Sequence, residues 1–201
     1  MANRTIHTSR RSLIVTLTLF SCLVMLPATM RTAHGFDTSK DHWALLGGYG
    51  QSIPGWGETT QRVETIDLVG RYHHRMFDAI GSGWLTGHYA TLVELPLHIV
   101  VSPEVSTMVG VNFLACYTFT SHDQWHPYLF GGGGPVYSFA DIPGMGADWN
   151  GNYQFGLGLT HPLDYSRSLL VEIRYHHISN AGSKDPNDPL NSIKLLMGIT
   201  F

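Results

Sequence analysis

Short stretches of strand-like composition recur along the chain after residue 36, and helical periodicity is hard to find there. Clusters of Gly, Pro, Asn and Asp separate the stretches, as in turns between strands. We count eight, at about 42–51, 62–73, 84–98, 106–119, 126–139, 151–161, 167–179 and 191–201. Each is long enough to supply the ~9–11 residues that a tilted strand needs to cross a membrane. The pattern predicts an all-β fold.

The last two segments show the clearest alternation of apolar and polar residues. In the seventh, the odd positions of 169–175 are apolar or aromatic, whereas Glu172 and Arg174 occupy even positions. The eighth repeats the pattern, with Lys194 at an even position. An apolar-out, polar-in ribbon is typical of membrane barrels, and an even number of strands closes without free edges. We therefore predict an eight-stranded antiparallel transmembrane β-barrel with these three charges paired inside. A periplasmic β-domain is the alternative.

The first 35 residues resemble a secretory signal rather than part of the fold. Three arginines precede an apolar run at 12–26, which is too short for a spanning helix. A small-residue cleavage pattern ends at Gly35. We predict a signal peptide at 1–35 and an outer-membrane β-barrel domain at 36–201.

Charge and cysteine content exclude some functions. The chain has 12 Lys and Arg against 15 Asp and Glu, a net charge of −3, and four of the arginines but no acidic residue lie within 1–35. The remaining domain therefore carries −7, which is not typical of a nucleic-acid-binding surface, and we expect no nucleic-acid partner. Cys22 lies in the predicted signal, so Cys116 has no partner for an intrachain disulfide.

A candidate base and a candidate nucleophile lie two residues apart at the end of the seventh segment. His177 and Ser179 share a face of the strand, and the equivalent face of the eighth segment reaches Asn191. These faces are the ones assigned to lipid, where polar side chains are costly and indicate function. Imidazole can activate a serine hydroxyl, and a third group must hold its tautomer. We predict His177 as base, Ser179 as nucleophile and Asn191 as the orienting group.

The residues after Ser179 supply candidates for the remaining roles. Asn180 and the backbone amides near Gly182 are candidates for stabilising a tetrahedral oxyanion, and Asn187 for bracing the loop or joining that hole. The adjacent pairs His73-His74 and His176-His177 each divide between two strand faces, so neither pair chelates one metal simply. We predict neither a metal site nor a cofactor.

The C-terminal part of the chain resembles the lipid A deacylase family of outer-membrane acyl hydrolases. The resemblance is carried by His-Ile-Ser-Asn-Ala-Gly at 177–182, Asn-Asp-Pro at 187–189 and the last strand to Phe201. It implies an eight-stranded outer-membrane barrel, with a serine–histidine–acid triad on its outer surface, that removes an ester-linked acyl chain from lipid A. Carried over by motif, the histidine, the nucleophile, the two oxyanion residues and the downstream asparagine are His177, Ser179, Asn180, Gly182 and Asn187.

One position departs from the family pattern, because Asn191 stands where the triad acid is expected. Replacing a triad acid by its amide lowers the rate by about 10⁴ where geometry survives, yet cysteine proteases use asparagine in that role. Asp185 and Asp188 are nearby acids that would substitute if the loop folded back. From sequence alone, Asn191→Glu is expected to keep or raise activity.

The sequence therefore predicts an outer-membrane serine esterase whose partners are lipid A of lipopolysaccharide and the outer-membrane lipids. Two alternatives stay open. One is a structural or adhesive barrel that keeps the fold but lacks the triad acid, and the other is a periplasmic β-domain that binds an apolar ligand. The sequence does not decide whether the protein forms a homodimer.

Overall fold

Nine strands make up the part of the protein that the computed structural model describes, residues 41–122 and 124–201. They are β1 Asp41–Ser52, β2 Glu64–Ile80, β3 Gly87–Ser102, β4 Ser106–Gly110, β5 Asn112–Phe119, β6 His126–Ser138, β7 Trp149–Pro162, β8 Ser168–Ser179 and β9 Leu190–Thr200. A single 3₁₀ turn, Gly83–Leu85, lies between β2 and β3. Within these ranges no helix is long and apolar enough to span a membrane. The predicted signal peptide lies outside the described residues.

The strands form one antiparallel sheet that closes on itself. β1 pairs with both β2 and β9, and pairing continues from β2 to β3 and from β6 through β7 to β8 and β9. β4 and β5 both lie between β3 and β6. Counted as one interrupted strand, they complete a ring of eight. The prediction of an all-β fold with eight antiparallel strands is confirmed.

The interruption between β4 and β5 is confined to Val111. The pairing register against β6 continues unchanged from Gly110 to Phe113, which places Val111 opposite Pro135. Proline has no N–H to give to the ladder, so one bond is missing there. The Val111 amide still donates to the Pro135 carbonyl at 3.1 Å. The predicted segment 106–119 is therefore one strand with a local break.

β2 is longer than the sequence pattern predicts, whereas β3 begins at Gly87 rather than near residue 84 and ends at Ser102 rather than near residue 98. β2 continues to Ile80 instead of ending near residue 73, and the side chains over most of this extension are exposed on both faces, so they give no alternating signal. Tyr117 of β5 holds the resulting hairpin. Its hydroxyl lies 3.1 and 2.6 Å from the carbonyl oxygens of Ile80 and Leu85. A contact between distant segments thus supports the extended end of β2.

Side chains alternate between a buried interior and an outer face of exposed apolar groups. The exposed outer residues include Leu45, Leu68, Leu95, Phe113, Leu129, Phe155, Leu157, Ile173 and Leu195. All five tryptophans are exposed near the two ends of the ring, Trp56 and Trp149 at one and Trp43, Trp84 and Trp125 at the other. We call the first the long-loop end; the connections 53–63, 139–148 and 180–189 lie there.

The interior holds the charges that the alternation places there. Glu172 and Arg174 are buried and bonded to each other, and Lys194 Nζ lies 2.9 Å from the Asp67 carboxylate. Arg174 also reaches Glu94, at 2.9 Å. Each buried ion thus has a partner of opposite sign, as low-dielectric surroundings require. The prediction that these three residues pair inside is confirmed.

Arg71 joins the same interior network from β2. Its guanidinium lies 2.7 Å from both Glu94 and Glu172, so the two arginines share two carboxylates. Tyr128 donates its hydroxyl to Glu172 at 2.5 Å. This network therefore joins β2, β3, β6 and β8 inside the ring of strands. It holds β8, whose outer face carries His177, in place from the interior side.

The adjacent histidine pairs divide between the two faces as expected. His73 and His176 are buried inside, whereas His74 and His177 lie on the outer face. Among the described residues, no group of three or more His, Cys, Asp or Glu side chains is arranged to hold a metal ion.

Candidate active site

His177, Ser179 and Asn191 meet on the outer face at the long-loop end. β8 and β9 are antiparallel, and their register places His177 directly opposite Asn191. His177 Nε2 lies 3.0 Å from Ser179 Oγ. On the other side of the imidazole, His177 Nδ1 lies 2.8 Å from Asn191 Oδ1. The strand period and the cross-strand register together bring the three predicted side chains within hydrogen-bond distance.

The direction of these contacts fixes the imidazole tautomer. A carboxamide oxygen can only accept, so Nδ1 of His177 must carry the proton in its bond to Asn191. Nε2 is then left with a lone pair that faces the Ser179 hydroxyl. A serine whose hydroxyl is bonded to a base, oriented in turn by a third group, is the arrangement of an activated nucleophile.

Strand β7 supplies one wall of the site. Tyr153 stacks on the His177 imidazole, with ring centroids 4.4 Å apart and planes 20° from parallel. Gly151 lies opposite Ser179 and is exposed. A Cβ at Gly151 would meet only the Ser179 carbonyl oxygen, at 3.8 Å, so packing does not force glycine there. The stack holds the His177 imidazole, and the absence of a side chain at Gly151 leaves Ser179 accessible from β7.

In the β8–β9 connection, the backbone and side-chain N–H groups of Asn180 bond to other residues of the same loop. Its backbone N–H donates to Asn187 Oδ1 at 2.9 Å, and its side-chain amide donates to the Lys184 carbonyl at 2.7 Å. Asn187 therefore braces this loop. Ala181 and Gly182 follow with φ of 54° and 75°, in an exposed turn closed by the Ser183 amide bonded to the Asn180 carbonyl. Ala181 and Gly182 are the first exposed residues after Ser179 in the chain.

Neither nearby acid takes the third position. Asp188 accepts a hydrogen bond from the Thr60 hydroxyl at 2.8 Å, and Asp185 is exposed in the loop. The Nδ1 atom of His177 faces Asn191 instead. The loop therefore does not fold back to put a carboxylate beside the imidazole.

Three further residues contact Asn191 that were not predicted from the sequence. Asn191 Nδ2 donates to the Trp56 carbonyl and to Thr59 Oγ1, both at 2.9 Å, and the Tyr175 hydroxyl donates to Asn191 Oδ1. Tyr175 was within reach of strand periodicity, because it shares the outer face with His177. Trp56 and Thr59 lie in the β1–β2 connection, more than 130 positions from Asn191 in the chain, and no local pattern joins them.

The sequence matches the lipid A 3-O-deacylase (PagL) family over residues 52–200. This range contains the whole site and every strand except β1, of which it includes only Ser52. The chain belongs to the lipid A 3-O-deacylase family. A comparison with curated proteins finds no match.

Three solved structures are similar to this chain to different degrees. Neisserial surface protein A is 14% identical, with 81% of this chain and 96% of that chain covered and a TM-score of 0.61. The outer membrane enzyme PagL is 22% identical, with 79% and 97% covered and a TM-score of 0.49. Outer membrane protein AlkL is 14% identical, with 88% and 97% covered and a TM-score of 0.34. At this level of identity, the similarity to Neisserial surface protein A bears on the fold alone.

Proposed function

We propose that this protein is an outer-membrane serine esterase that removes an ester-linked acyl chain from lipid A of lipopolysaccharide. The observation that carries the proposal is the hydrogen-bonded series Ser179–His177–Asn191 on the outer face of the ring. Membership of the lipid A 3-O-deacylase family supplies the substrate class and points to the chain at the 3-O position. Reaction at this site needs no cofactor.

The ring of strands is proposed to cross the outer membrane as a β-barrel formed by residues 36–201, with residues 1–35 as its export signal. Closure of the ring leaves no sheet edge whose unpaired N–H and C=O groups would face the hydrocarbon of the membrane. The outer face carries exposed leucine and phenylalanine side chains. Tryptophans near both ends of the ring suit the two membrane interfaces. Ser179, at the end of β8, then lies near an interface, where the ester of a lipid substrate also lies.

Chemistry starts with attack of Ser179 Oγ on the ester carbonyl carbon while His177 Nε2 takes the hydroxyl proton. The tetrahedral oxyanion is stabilised by backbone N–H groups, for which Ala181 and Gly182 are the candidates. Collapse breaks the bond to the sugar oxygen, which leaves as a hydroxyl with the proton from His177. The acyl chain remains on Ser179.

Water completes the cycle. His177 Nε2 accepts a proton from the water as its oxygen attacks the acyl carbon, and then returns that proton to Ser179 Oγ as the fatty acid leaves. Asn191 keeps the imidazole in the productive tautomer through both halves. It offers hydrogen-bond orientation without the charge of a carboxylate.

Mass spectrometry of lipid A tests the proposal. Cells that express the wild-type protein should lose one acyl chain from lipid A, whereas cells with an equal membrane level of Ser179→Ala should not. The mass that is lost also identifies the chain. Unchanged lipid A, with folded wild-type protein in the outer membrane, would reject the esterase.

A structural or adhesive barrel is the second candidate function. It is favoured by one observation, the amide of Asn191 at the position of the triad acid. The fold does not decide between them, since Neisserial surface protein A shares it and carries a name that states no reaction. The same lipid A measurement separates the two.

A further inference from the structure

The carboxamide of Asn191 has a partner for each of its polar atoms. Nδ2 donates to the Trp56 carbonyl and to Thr59 Oγ1, both at 2.9 Å. Oδ1 accepts from the Tyr175 hydroxyl and from His177 Nδ1. Asn191 is 5% exposed and Thr59 only 3%, so water competes little for these bonds. The orientation of the amide is thus set by four contacts.

One of the four contacts requires an amide at this position. The Trp56 carbonyl can only accept a hydrogen bond, so the atom that faces it must be a donor. A carboxylate oxygen in the place of Asn191 Nδ2 would stand 2.9 Å from another acceptor. Thr59 could rotate its hydroxyl to donate, but a backbone carbonyl has no such freedom.

The β1–β2 connection is built closely around Asn191. Its backbone N–H also donates to Thr59 Oγ1, at 2.9 Å, and its carbonyl accepts from the Ile53 amide, at 3.0 Å. Gly57 has a φ of 57°, and a Cβ there would come within 3.2 Å of Asn191 Nδ2. The connection therefore forms hydrogen bonds with both the backbone and the side chain of Asn191.

The orientation of the amide decides whether His177 can act as a base. With Oδ1 toward Nδ1, the imidazole carries its proton there and Nε2 can accept from Ser179. The reversed amide would offer an N–H to Nδ1, place the proton on Nε2 and remove the acceptor. The loss of about 10⁴ that follows an acid-to-amide change in a serine protease triad comes from the wrong tautomer.

We propose that the β1–β2 connection, through the Thr59 hydroxyl and the Trp56 carbonyl, is a positioning element that makes an amide a working third member of this site. Thr59 is a positioning residue, since it acts on His177 through Asn191. This inference rests on the proposed esterase activity and deepens it. It reverses the expectation from sequence, because an acid at position 191 now meets an acceptor that it cannot satisfy.

Four variants test the positioning role. Thr59→Val keeps the shape but removes the acceptor, Thr59→Ser keeps a hydroxyl, and Asn191→Asp adds charge at the cost of the donor. Thr60→Val is the matched control, because Thr60 is in the same connection and its exposed hydroxyl bonds to Asp188. Measurements are kcat and KM on lipid A with refolded protein, and the ¹⁵N shifts of the His177 ring, which report its tautomer.

We expect Thr59→Val and Asn191→Asp each to lower kcat by about tenfold or more with KM unchanged, because misplacement of a catalytic group acts on the chemical step. Thr59→Ser should restore kcat to within about twofold of wild type, and Thr60→Val should match wild type. The ring of His177 should carry its proton on Nδ1 in the wild type and on a mixture of both nitrogens in Thr59→Val.

The proposal is overturned if folded Thr59→Val keeps both the wild-type kcat and the wild-type tautomer, or if Asn191→Asp exceeds the wild type. If Thr59→Val does not fold, Asn191→Asp supplies the test, since it keeps Thr59. Failure of the esterase itself is distinguishable. Folded wild-type protein would then be inactive, while the ¹⁵N shifts would still show whether Thr59 sets the tautomer.

Discussion

Asn191 Oδ1 lies 2.8 Å from His177 Nδ1, on the neighbouring strand and directly across the register. An amide therefore occupies the place of the third group, hydrogen-bonded to the imidazole as that group must be. The other imidazole nitrogen, His177 Nε2, lies 3.0 Å from Ser179 Oγ.

Removal of the base should abolish turnover. His177→Ala is expected to lower kcat by about 10⁴ or more, because Ser179 then has no acceptor for its proton. His74→Ala is the matched control, since His74 is also on the outer face but near the opposite end, where it pairs with Asp41. Release of fatty acid from lipid A, measured at equal amounts of folded protein, checks the pair. Equal activity of the two variants would contradict the assigned base.

Loss of the orienting amide should cost less than loss of the base. Asn191→Ala removes the acceptor for Nδ1–H but leaves His177 and Ser179 in place, so kcat should fall by about 10²–10³. The rate at which a fluorophosphonate labels Ser179 should fall in parallel, because labelling needs the same activated hydroxyl. Unchanged labelling, with folded protein, would show that Asn191 does not orient the imidazole.

A side chain at Gly151 should block access to Ser179. Gly151→Leu is expected to raise KM or lower kcat/KM for lipid A, because the leucine would cover the exposed surface opposite the nucleophile. Gly70→Leu is the control, since Gly70 also has open space around its Cβ position but lies on β2. A small water-soluble ester should be affected less than lipid A. Equal effects of the two substitutions on lipid A would contradict the access role of Gly151.

The stack of Tyr153 on His177 should contribute to positioning of the base. Tyr153→Ala removes the ring contact at 4.4 Å, and Tyr153→Phe keeps it. An aromatic pair contributes about 0.5–1.5 kcal/mol, so the alanine variant should lose roughly 2- to 10-fold in kcat and the phenylalanine variant little. Equal losses in both would instead point to a role of the tyrosine hydroxyl.

The buried ionic network should dominate stability. Arg174→Met leaves Glu94 and Glu172 short of a cation, which should destabilise the fold by about 3–5 kcal/mol. Arg167→Met is the control. Its partner Asp164 is a half-exposed loop residue whose pKa is held at about 2 by the hydrogen bond from Arg167, and ion pairs open to solvent contribute little. Urea titration followed by heat-dependent gel mobility compares the two; equal midpoints would contradict this role of the interior.

Much of the fold was predictable, because a strand that is apolar on its outer face and polar on its inner face has apolar and polar residues at alternate positions. The clearest case is β8, where the odd residues face out and Glu172 and Arg174 face in. The signal fails at the end of β2, which is exposed on both faces and continues to Ile80. Pairing with β3 and the contact of Tyr117 hold that extension, and neither is visible in a local window.

Spacing along the chain determined that His177 and Ser179 share a face, and the single loop from β8 to β9 made Asn191 a neighbour on the adjacent strand, since both effects are local. Only the tertiary structure decided which way the Asn191 amide points. That choice is made by Trp56 and Thr59 in the β1–β2 connection, which reaches β9 only when the ring closes between β1 and β9. Ring closure is a property of the whole sheet, and for that reason no local pattern could reveal it.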